Sequence, residues 1–204
     1  GKRGIWLKIP LKCAVHAGSA SENKFDFHHA KPGYVMMTRW LPPQIPNHLP
    51  TYAFTQVGVG GVVVNPKGEV LMVQERVSPA PFYQGSWKLP GGLADPSEDF
   101  AETAAREVRE ETGIISSFVG VVSIRHTHKM RFEQGDLYVV VRLRAETEMI
   151  NIDLHELQAA EWMSLDKIKS LVAAEGQVLN GKVSPNNWKM IDNATSGQLI
   201  LGTT

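Results

Sequence analysis

The chain has 204 residues, with 21 Lys and Arg balanced by 21 Asp and Glu, 43% apolar residues and 21% charged ones. This suits one well-packed globular domain plus a small appendage, and it excludes a surface built throughout to grip nucleic-acid backbone, leaving room only for a local basic patch. A single cysteine, Cys13, excludes an internal disulfide framework and suits a small core residue in a reducing compartment. No apolar run of about eighteen residues is present to span a membrane. A cytoplasmic location is expected, or a mitochondrial or other organellar one if a targeting segment lies upstream of Gly1. Asn193-Ala194-Thr195 is a chance match to a glycosylation acceptor, and the lack of internal repeats excludes solenoids.

In chain order, GIWLKIP, KFDFHHA and GYVMMTRWL predict short strands with a turn of helix, rich in aromatic and β-branched residues. His28 and His29 are adjacent on such a strand, so their side chains are expected on opposite faces. The stretch PPQIPNHLP carries four prolines, which remove amide donors and fix φ, and it predicts a domain boundary. A small N-terminal domain therefore spans residues 1–50; it is too short to be stable alone, so it leans on the main domain or pairs with a second copy, giving a homodimer. The main domain spans 51–175. VGVGGVVVN and EVLMVQERV form a hairpin across Pro66-Lys67-Gly68, and SWKLP is a short strand. A helix follows over 99–112, then a second strand pair, GVVSIRHTH and DLYVVVRLRAE, across KMRFEQG. LQAAEWMSL is a last strand, and LDKIKSLVAAEG a helix closed by Gly176. The class is α/β (α+β), a mixed β-sheet sandwiched between helices with a small N-terminal α/β domain. Residues 176–204, rich in Asn, Gly, Ser and Thr, predict a surface-hugging or frayed tail.

The helix over 99–112 carries the chemistry. Ala101, Ala104, Ala105 and Val108 stand at i, i+3, i+4 and i+7, a narrow stripe that faces the sheet. Glu107, Glu110 and Glu111 form their own ridge, predicting three carboxylates converging on one spot. Two capping boxes are available, Asp95 with Glu98 or Asp99 with Glu102; the later frame is favoured and leaves Glu98 on the loop beside the helix start, and Gly113 ends the helix where left-handed backbone is needed. Such a ridge repels itself by a few tenths of a kcal/mol per pair, so a positive partner is expected: Arg106 and Arg109 within the helix, or a cation.

The whole stretch GGLADPSEDFAETAAREVREETGI resembles the Nudix signature at nine positions: Gly92, Glu98, Arg106-Glu107-Val108, Glu110-Glu111 and Gly113-Ile114 at the family's spacing. The resemblance implies a Nudix fold and a loop-helix-loop that holds Mg2+ or Mn2+ for hydrolysis of a nucleoside diphosphate linked to another group. It implies Glu107 and Glu111 as direct ligands, with Glu110 a further ligand or water-holding partner and the Gly91 carbonyl an extra oxygen. Glu98 pairs with Arg106 to fix loop to helix, and Gly92 and Gly113 shape the turns. Hard divalent ions take oxygen ligands and keep waters, which such a carboxylate cluster suits.

Beyond the signature, segments over much of residues 3–175 (RGIWLKIP, WKLPGG, SIRHTH and AAEWM among them) resemble the subfamily of plant ADP-ribose/NADH pyrophosphatases and their animal relatives. That resemblance implies an N-terminal domain like a truncated acetyltransferase fold, a homodimer, and cleavage of ADP-ribose or NADH to AMP plus the other half. The proline that accompanies many ADP-ribose hydrolases is absent near His128, so two alternatives stay open. One is a nucleotide-binding regulatory module with little turnover; the other is a hydrolase of NTPs or capped RNA, a long nucleic-acid partner being disfavoured by neutral charge. Glu156 sits where many Nudix proteins carry a loop glutamate near the metals, and Glu133 is a rival general base. His126 and His128 alternate on a strand and share a face; they are read as surface or core histidines, with contact to a phosphate or a base role as the functional alternative. Phe82 and Tyr83 could stack on a base, while Trp87 packs in the core.

Overall fold

The computed structural model describes residues 2–78 and 80–200, divided into two compact units, Gly1–Phe54 and Thr55–Thr204. In the first, β1 (Gly4–Pro10), β2 (Asp26–Lys31) and β3 (Tyr34–Trp40) form an antiparallel sheet in the order β1-β3-β2. Gly33, at φ 92°, makes the tight turn between β2 and β3. The helix α1 (His16–Glu22) contributes Ala20 to a small core with Ile9 and Met37, and Leu7 and Val35 pack against it. The proline-rich segment is tied down locally, with Trp40 Nε1 donating to Ile45 O at 2.9 Å.

The histidines of β2 depart from expectation. A register shift between Phe27 and His29 is a bulge, and it turns both imidazoles together, with Nδ1 to Nδ1 at 2.7 Å. His28 Nε2 lies 2.8 Å from Pro50 O, an oxygen that can only accept. That nitrogen therefore carries the proton and His28 Nδ1 accepts from His29 Nδ1–H. Tyr34 then donates to His29 Nε2 at 3.3 Å. Desolvation, His28 and Lys31 together lower the pKa of His29.

In the second unit, β4 (Thr55–Val64), β5 (Val70–Glu75), β7 (Ser116–Thr127), β8 (Gly135–Ala145) and β9 (Leu157–Met163) run in the order β7-β8-β4-β5-β9, and the short β6 (Gly91–Leu93) pairs with β4. The β4–β8 pair is parallel and the rest antiparallel, so the sheet is mixed. The expected hairpin pairs Val64 with Val70; the Asn65 side chain accepts from the amides of Lys67 and Glu69 at 3.0 and 2.9 Å. Alternation along the strands fills two cores. Val59, Val63, Leu71, Val139 and Val141 pack with Ala104 and Val108 of α2 (Phe100–Thr112). Val62, Met72 and Val140 pack with Ile168 of α3 (Leu165–Ser170) and Ile191 of α4 (Pro185–Thr195). Both faces of the sheet are thus covered, which explains the near-continuous apolar runs of β4 and β5. Among the described residues no helix is long and apolar enough to cross a membrane.

Four expectations are corrected. Residues 176–204 are not a frayed tail over their described part: Leu179, Val183, Met190, Ile191 and Ala194 are buried, because α4 presents an apolar stripe that the sparse local composition conceals. The helix after β9 ends at Ser170, not Gly176, since Val172 leaves it to bridge Val183. SWKLP makes only isolated bridges, Val73 with Lys88 and Trp87 with Val183; the strand that pairs is Gly91–Leu93. The buried stripe of α2 is Thr103, Ala104, Val108, Glu111 and Thr112, while Ala101 and Ala105 stay half-buried. The hydroxyls of the two threonines are satisfied on Glu98, Asp99 and Val108, so burying them carries no orphan cost.

A chain ended at residue 175 should therefore fail to fold. Each buried aliphatic side chain of the missing segment is worth about 1.5–3 kcal/mol, and several together exceed the roughly 5–15 kcal/mol margin of a domain. The check is loss of a cooperative thermal transition by circular dichroism; a truncated chain that melts like the full one would show that α4 is dispensable.

Candidate functional site

The site is assembled where β6 enters α2. Glu102 reaches back to the amide of Asp99 at 3.0 Å, closing the expected capping box, and Gly113 ends the helix at φ 72° with its amide on Arg109 O. Glu98 is left on the loop, where it accepts from Asp95 N, from the Thr103 hydroxyl, and from Arg106 Nε at 2.7 Å and Nη2 at 2.9 Å. This forked pair with Arg106, chiefly, holds the Glu98 carboxyl down at about 2. Arg106 also gives Nη1 to Glu107 Oε1 at 2.8 Å and Glu110 Oε2 at 3.0 Å, and Nη2 to Leu93 O at 3.1 Å. One guanidinium thus sits among three carboxylates, and it clamps the loop to the helix.

The ridge itself splits. The Glu110 side chain is 60% exposed and held by Arg106, whereas Glu111 is 5% exposed and accepts from Gly91 N at 3.0 Å. Desolvation pushes the Glu111 carboxyl up to about 7, against the pull of Lys88 and the Gly91 amide; Glu107 and Glu156 push it further. Three carboxylates do not converge as expected. Among the described residues no three Asp, Glu, His or Cys side chains form a ready ion cage: Arg106 engages Glu107 and Glu110, while Glu111 accepts from Gly91 N.

Two glycines explain how the carboxylates reach one turn. At Gly91, φ is 148° and a Cβ would lie 2.1 Å from Val59 O; at Gly92 a Cβ would lie 2.6 Å from the Glu107 carboxylate. The glycine pair lets the turn press on β4 while Glu107 and Glu111 approach its backbone from α2. Oxygen donors available there are Glu107, Glu110, Glu111 and the Gly91 backbone.

Gly91 opens onto a cleft of about 690 Å³ whose lining includes Glu75, Phe82, Tyr83, Lys88, Arg125, Met130 and Tyr138, with residues from 174–187 along one side. Glycines at 58 and 60 on β4 make room for the Tyr138 ring: a Cβ at Gly60 would lie 2.0 Å from its hydroxyl. Burial pushes that phenol up to about 12, and Arg125 lies 5.2 Å from the ring centroid. A second cavity of about 240 Å³ brings Glu111 together with Glu75, Val77, His155 and Glu156. Glu75 borders both spaces and is ion-paired with Lys88.

Phe82 and Tyr83 thus line the cleft, and Glu156 shares a cavity with Glu111. Trp87 packs against the core. His126 and His128 share a face, their rings 4.3 Å apart, and Glu133 sits at φ 58° in the loop between β7 and β8; none of these three borders either space. Sequence reasoning missed Glu75, Lys88, Arg125, Tyr138 and the 174–187 segment. Only the glycine alternation of VGVGG, which signals something pressed on β4, pointed toward them.

A mixed sheet between helices, with an arginine-clamped carboxylate helix entered by a double-glycine turn, defines the class: the chain belongs to the Nudix hydrolase family. Residues 54–186 match the family model described as NUDIX domain, and residues 1–41 a model described as Nudix hydrolase domain. Nudix hydrolases generally use divalent metals. The chain is 46% identical over 165 residues to Nudix hydrolase 8 of Arabidopsis thaliana, covering 81% of this chain and 44% of that protein. It is 40% identical over 171 residues to nucleoside diphosphate-linked moiety X motif 6 of Mus musculus, covering 82% and 53%. The chain therefore spans about half the length of the curated relatives it matches. Among solved structures, the MutT protein from Methanosarcina mazei Go1 aligns with a TM-score of 0.53 at 22% identity, over 72% of this chain and 97% of that one. The NUDIX domain of Shewanella oneidensis NrtR, complexed with ADP ribose, aligns at 0.55 and 17%, over 70% and 87%. At these identities the likeness is one of fold.

Proposed function

We propose that the protein hydrolyses the pyrophosphate bond of a nucleoside diphosphate linked to another moiety, ADP-ribose or NADH foremost, giving AMP plus the other half, with Mg2+ or Mn2+ as cofactor. The observation that carries this reading is the placement of Glu107 and Glu111 on the Gly91-Gly92 turn at the edge of the 690 Å³ cleft. The residues fit a hard divalent cation. The donors are all oxygen, and Glu111 is a buried carboxylate set against the Gly91 amide at the head of the turn. Glu107 and Glu111 would hold the ion, with Glu110 and the Gly91 carbonyl. When bound, it neutralises the pyrophosphate oxygens and stabilises the leaving phosphate.

The chain's own groups do the rest. The Glu98–Arg106 fork keeps the turn registered on α2. Lys88 and Arg125 offer positive charge to the substrate phosphates from the cleft floor. Glu156, beside Glu111 and His155, takes the proton from the attacking water, a role that Glu133, which borders neither space, is less well placed to fill.

The test is a substrate panel of ADP-ribose, NADH, NTPs and capped RNA with Mg2+, followed by product analysis. AMP should appear from ADP-ribose or NADH and cease on chelation. Glu107→Gln should lower turnover by more than about 100-fold, beyond the 10–100-fold that loss of an outer partner costs, with thermal unfolding unchanged. Binding of ADP-ribose without cleavage of any panel member would instead make the protein a nucleotide-binding module, and cleavage of NTPs or capped RNA alone would move the substrate class.

A further inference from the structure

We propose that residues 42–52 form a strap fastened across the N-terminal sheet by the His28–His29 pair, and that proton uptake by this pair releases the strap. The device lies wholly within the first unit and owes nothing to the hydrolase chemistry of the second.

Ile9 and Met37 make the small core with Ala20 of α1 on one face of the sheet. By alternation the even-numbered residues of β1 and β3 turn to the other face, and the strap crosses it. Trp40 Nε1 donates to Ile45 O at 2.9 Å, and the Trp40 ring meets His48 edge-on with centroids 5.9 Å apart. The Leu49 side chain fills the space beside Gly4, where a Cβ would lie 2.5 Å from it. Pro50 O accepts from His28 Nε2–H at 2.8 Å, and the Tyr52 ring stacks on His29 with centroids 4.4 Å and planes 12° apart. Four prolines in the segment leave it few amides for a sheet ladder, so side chains hold it down, the two histidines foremost.

The protons of the pair are already placed. His28 Nε2–H is on Pro50 O, His29 Nδ1–H is on His28 Nδ1 at 2.7 Å, and Tyr34 donates to His29 Nε2 at 3.3 Å. One further proton can enter only at His29 Nε2, with the Tyr34 hydroxyl turned to accept. It faces Lys31 on β2 and Lys8 on β1, whose Nζ stands 4.3 Å from the Tyr34 ring centroid; the other titratable groups against it are His28, Tyr34 on β3 and Tyr52 on the strap. Among the described residues no carboxylate is ion-paired with either histidine, and residues 1–54 hold five Lys and two Arg against Glu22 and Asp26 alone. Desolvation, His28 and Lys31 accordingly lower the pKa of His29.

A second proton would have to lie on His28 Nδ1, and the 2.7 Å contact cannot hold two. The imidazoles must then part, and the Pro50 and Tyr52 anchors go with them. A freed imidazole takes up protons in the ordinary histidine range, so acid favours the released strap. The fastening is therefore complete above about pH 6.5 and weakens below it, by about ten-fold for each excluded proton at one pH unit lower. The strap is also the chain that leads into β4, so its fastening decides how long a free tether precedes that strand.

The experiment is NMR of the full chain, titrated from about pH 8 to about pH 5 across the histidine range, observing the imidazole nitrogens and the Tyr52 ring. At the alkaline end His28 should be the Nε2–H tautomer and His29 the Nδ1–H tautomer, with the Tyr52 signals displaced by the stacked imidazole. On acidification those signals should move to the positions of a free tyrosine in step with both histidines, while the Met37 methyl in the core of the unit stays fixed. His29→Phe keeps a ring against Tyr52 and takes up no proton, so its Tyr52 signals should hold the stacked positions throughout. Tyr52 signals that do not move in wild type, that move equally in His29→Phe, or that move only together with Met37 overturn the proposal.

Discussion

Glu111→Gln should abolish turnover and at the same time make the metal-free protein more stable at neutral and alkaline pH. Burial raises this carboxyl from 4.5 to about 7 in the folded chain. Below about pH 4.5 both folded and unfolded states hold the proton, and there is no difference between them. Between about 4.5 and 7 the unfolded chain ionises while the folded one keeps its proton, so stability falls as pH rises. Above about 7 the folded state bears the full cost of a buried charge, on the order of 1–3 kcal/mol. A neutral glutamine keeps an acceptor for the Gly91 amide and escapes that cost. In chelator, the variant should melt on the order of 5 °C higher than wild type at pH 8 and at the same temperature near pH 4. Mg2+ or Mn2+ should raise the wild-type midpoint and leave the variant's unmoved. A variant no more stable than wild type at pH 8 would mean that the carboxylate is already compensated within the chain, and the reading of Glu111 as a metal ligand would lose its electrostatic support.

The two glycines of the turn should fail in different ways. A Cβ at Gly91 meets backbone, 2.1 Å from Val59 O and 2.8 Å from Gly60 Cα, at φ 148°; β4 lies in the centre of the sheet and cannot give way cheaply. Gly91→Ala should therefore cost more than about 3 kcal/mol, visible as a lower denaturation midpoint. A Cβ at Gly92 meets only the Glu107 carboxylate, at 2.6 Å, the mobile end of a side chain. Gly92→Ala should melt within a few degrees of wild type yet lose about 100-fold or more in kcat, because Glu107 is pushed off the turn. Full activity in Gly92→Ala would show that the position of the Glu107 carboxylate is immaterial.

Much of the turn and helix was legible locally. The Asp99–Glu102 box, the left-handed Gly113 and the hairpin at Pro66-Lys67-Gly68 followed from spacing and residue type, and the Glu98–Arg106 pair from the resemblance; all depend on residues within eight positions of one another, where chain geometry dictates who meets whom. The adjacent histidines were misread because a bulge overrides strict alternation, and a bulge in β2 leaves no mark in local composition. The cleft was legible only in part. Phe82 and Tyr83 were marked by their place just before the signature as aromatics able to stack on a base, but Lys88, Arg125 and Tyr138 are generic residues until β4, β7 and β8 bring them to one floor.

Two properties belong to different levels. Residue spacing by itself determined that carboxylates at 107, 110 and 111 share a helix face and that Arg106 stands one turn before Glu110, since a 3.6-residue period sets these neighbours. Only the tertiary structure decided that Glu111 is buried against Gly91 while Glu110 stays in solvent, because that depends on how α2 rolls onto the sheet under Val108 and Thr112. It also decided that residues 179–194 close the second core and wall the cleft: a short apolar stripe has no stable place until β7 and β8 supply the surface that α4 covers.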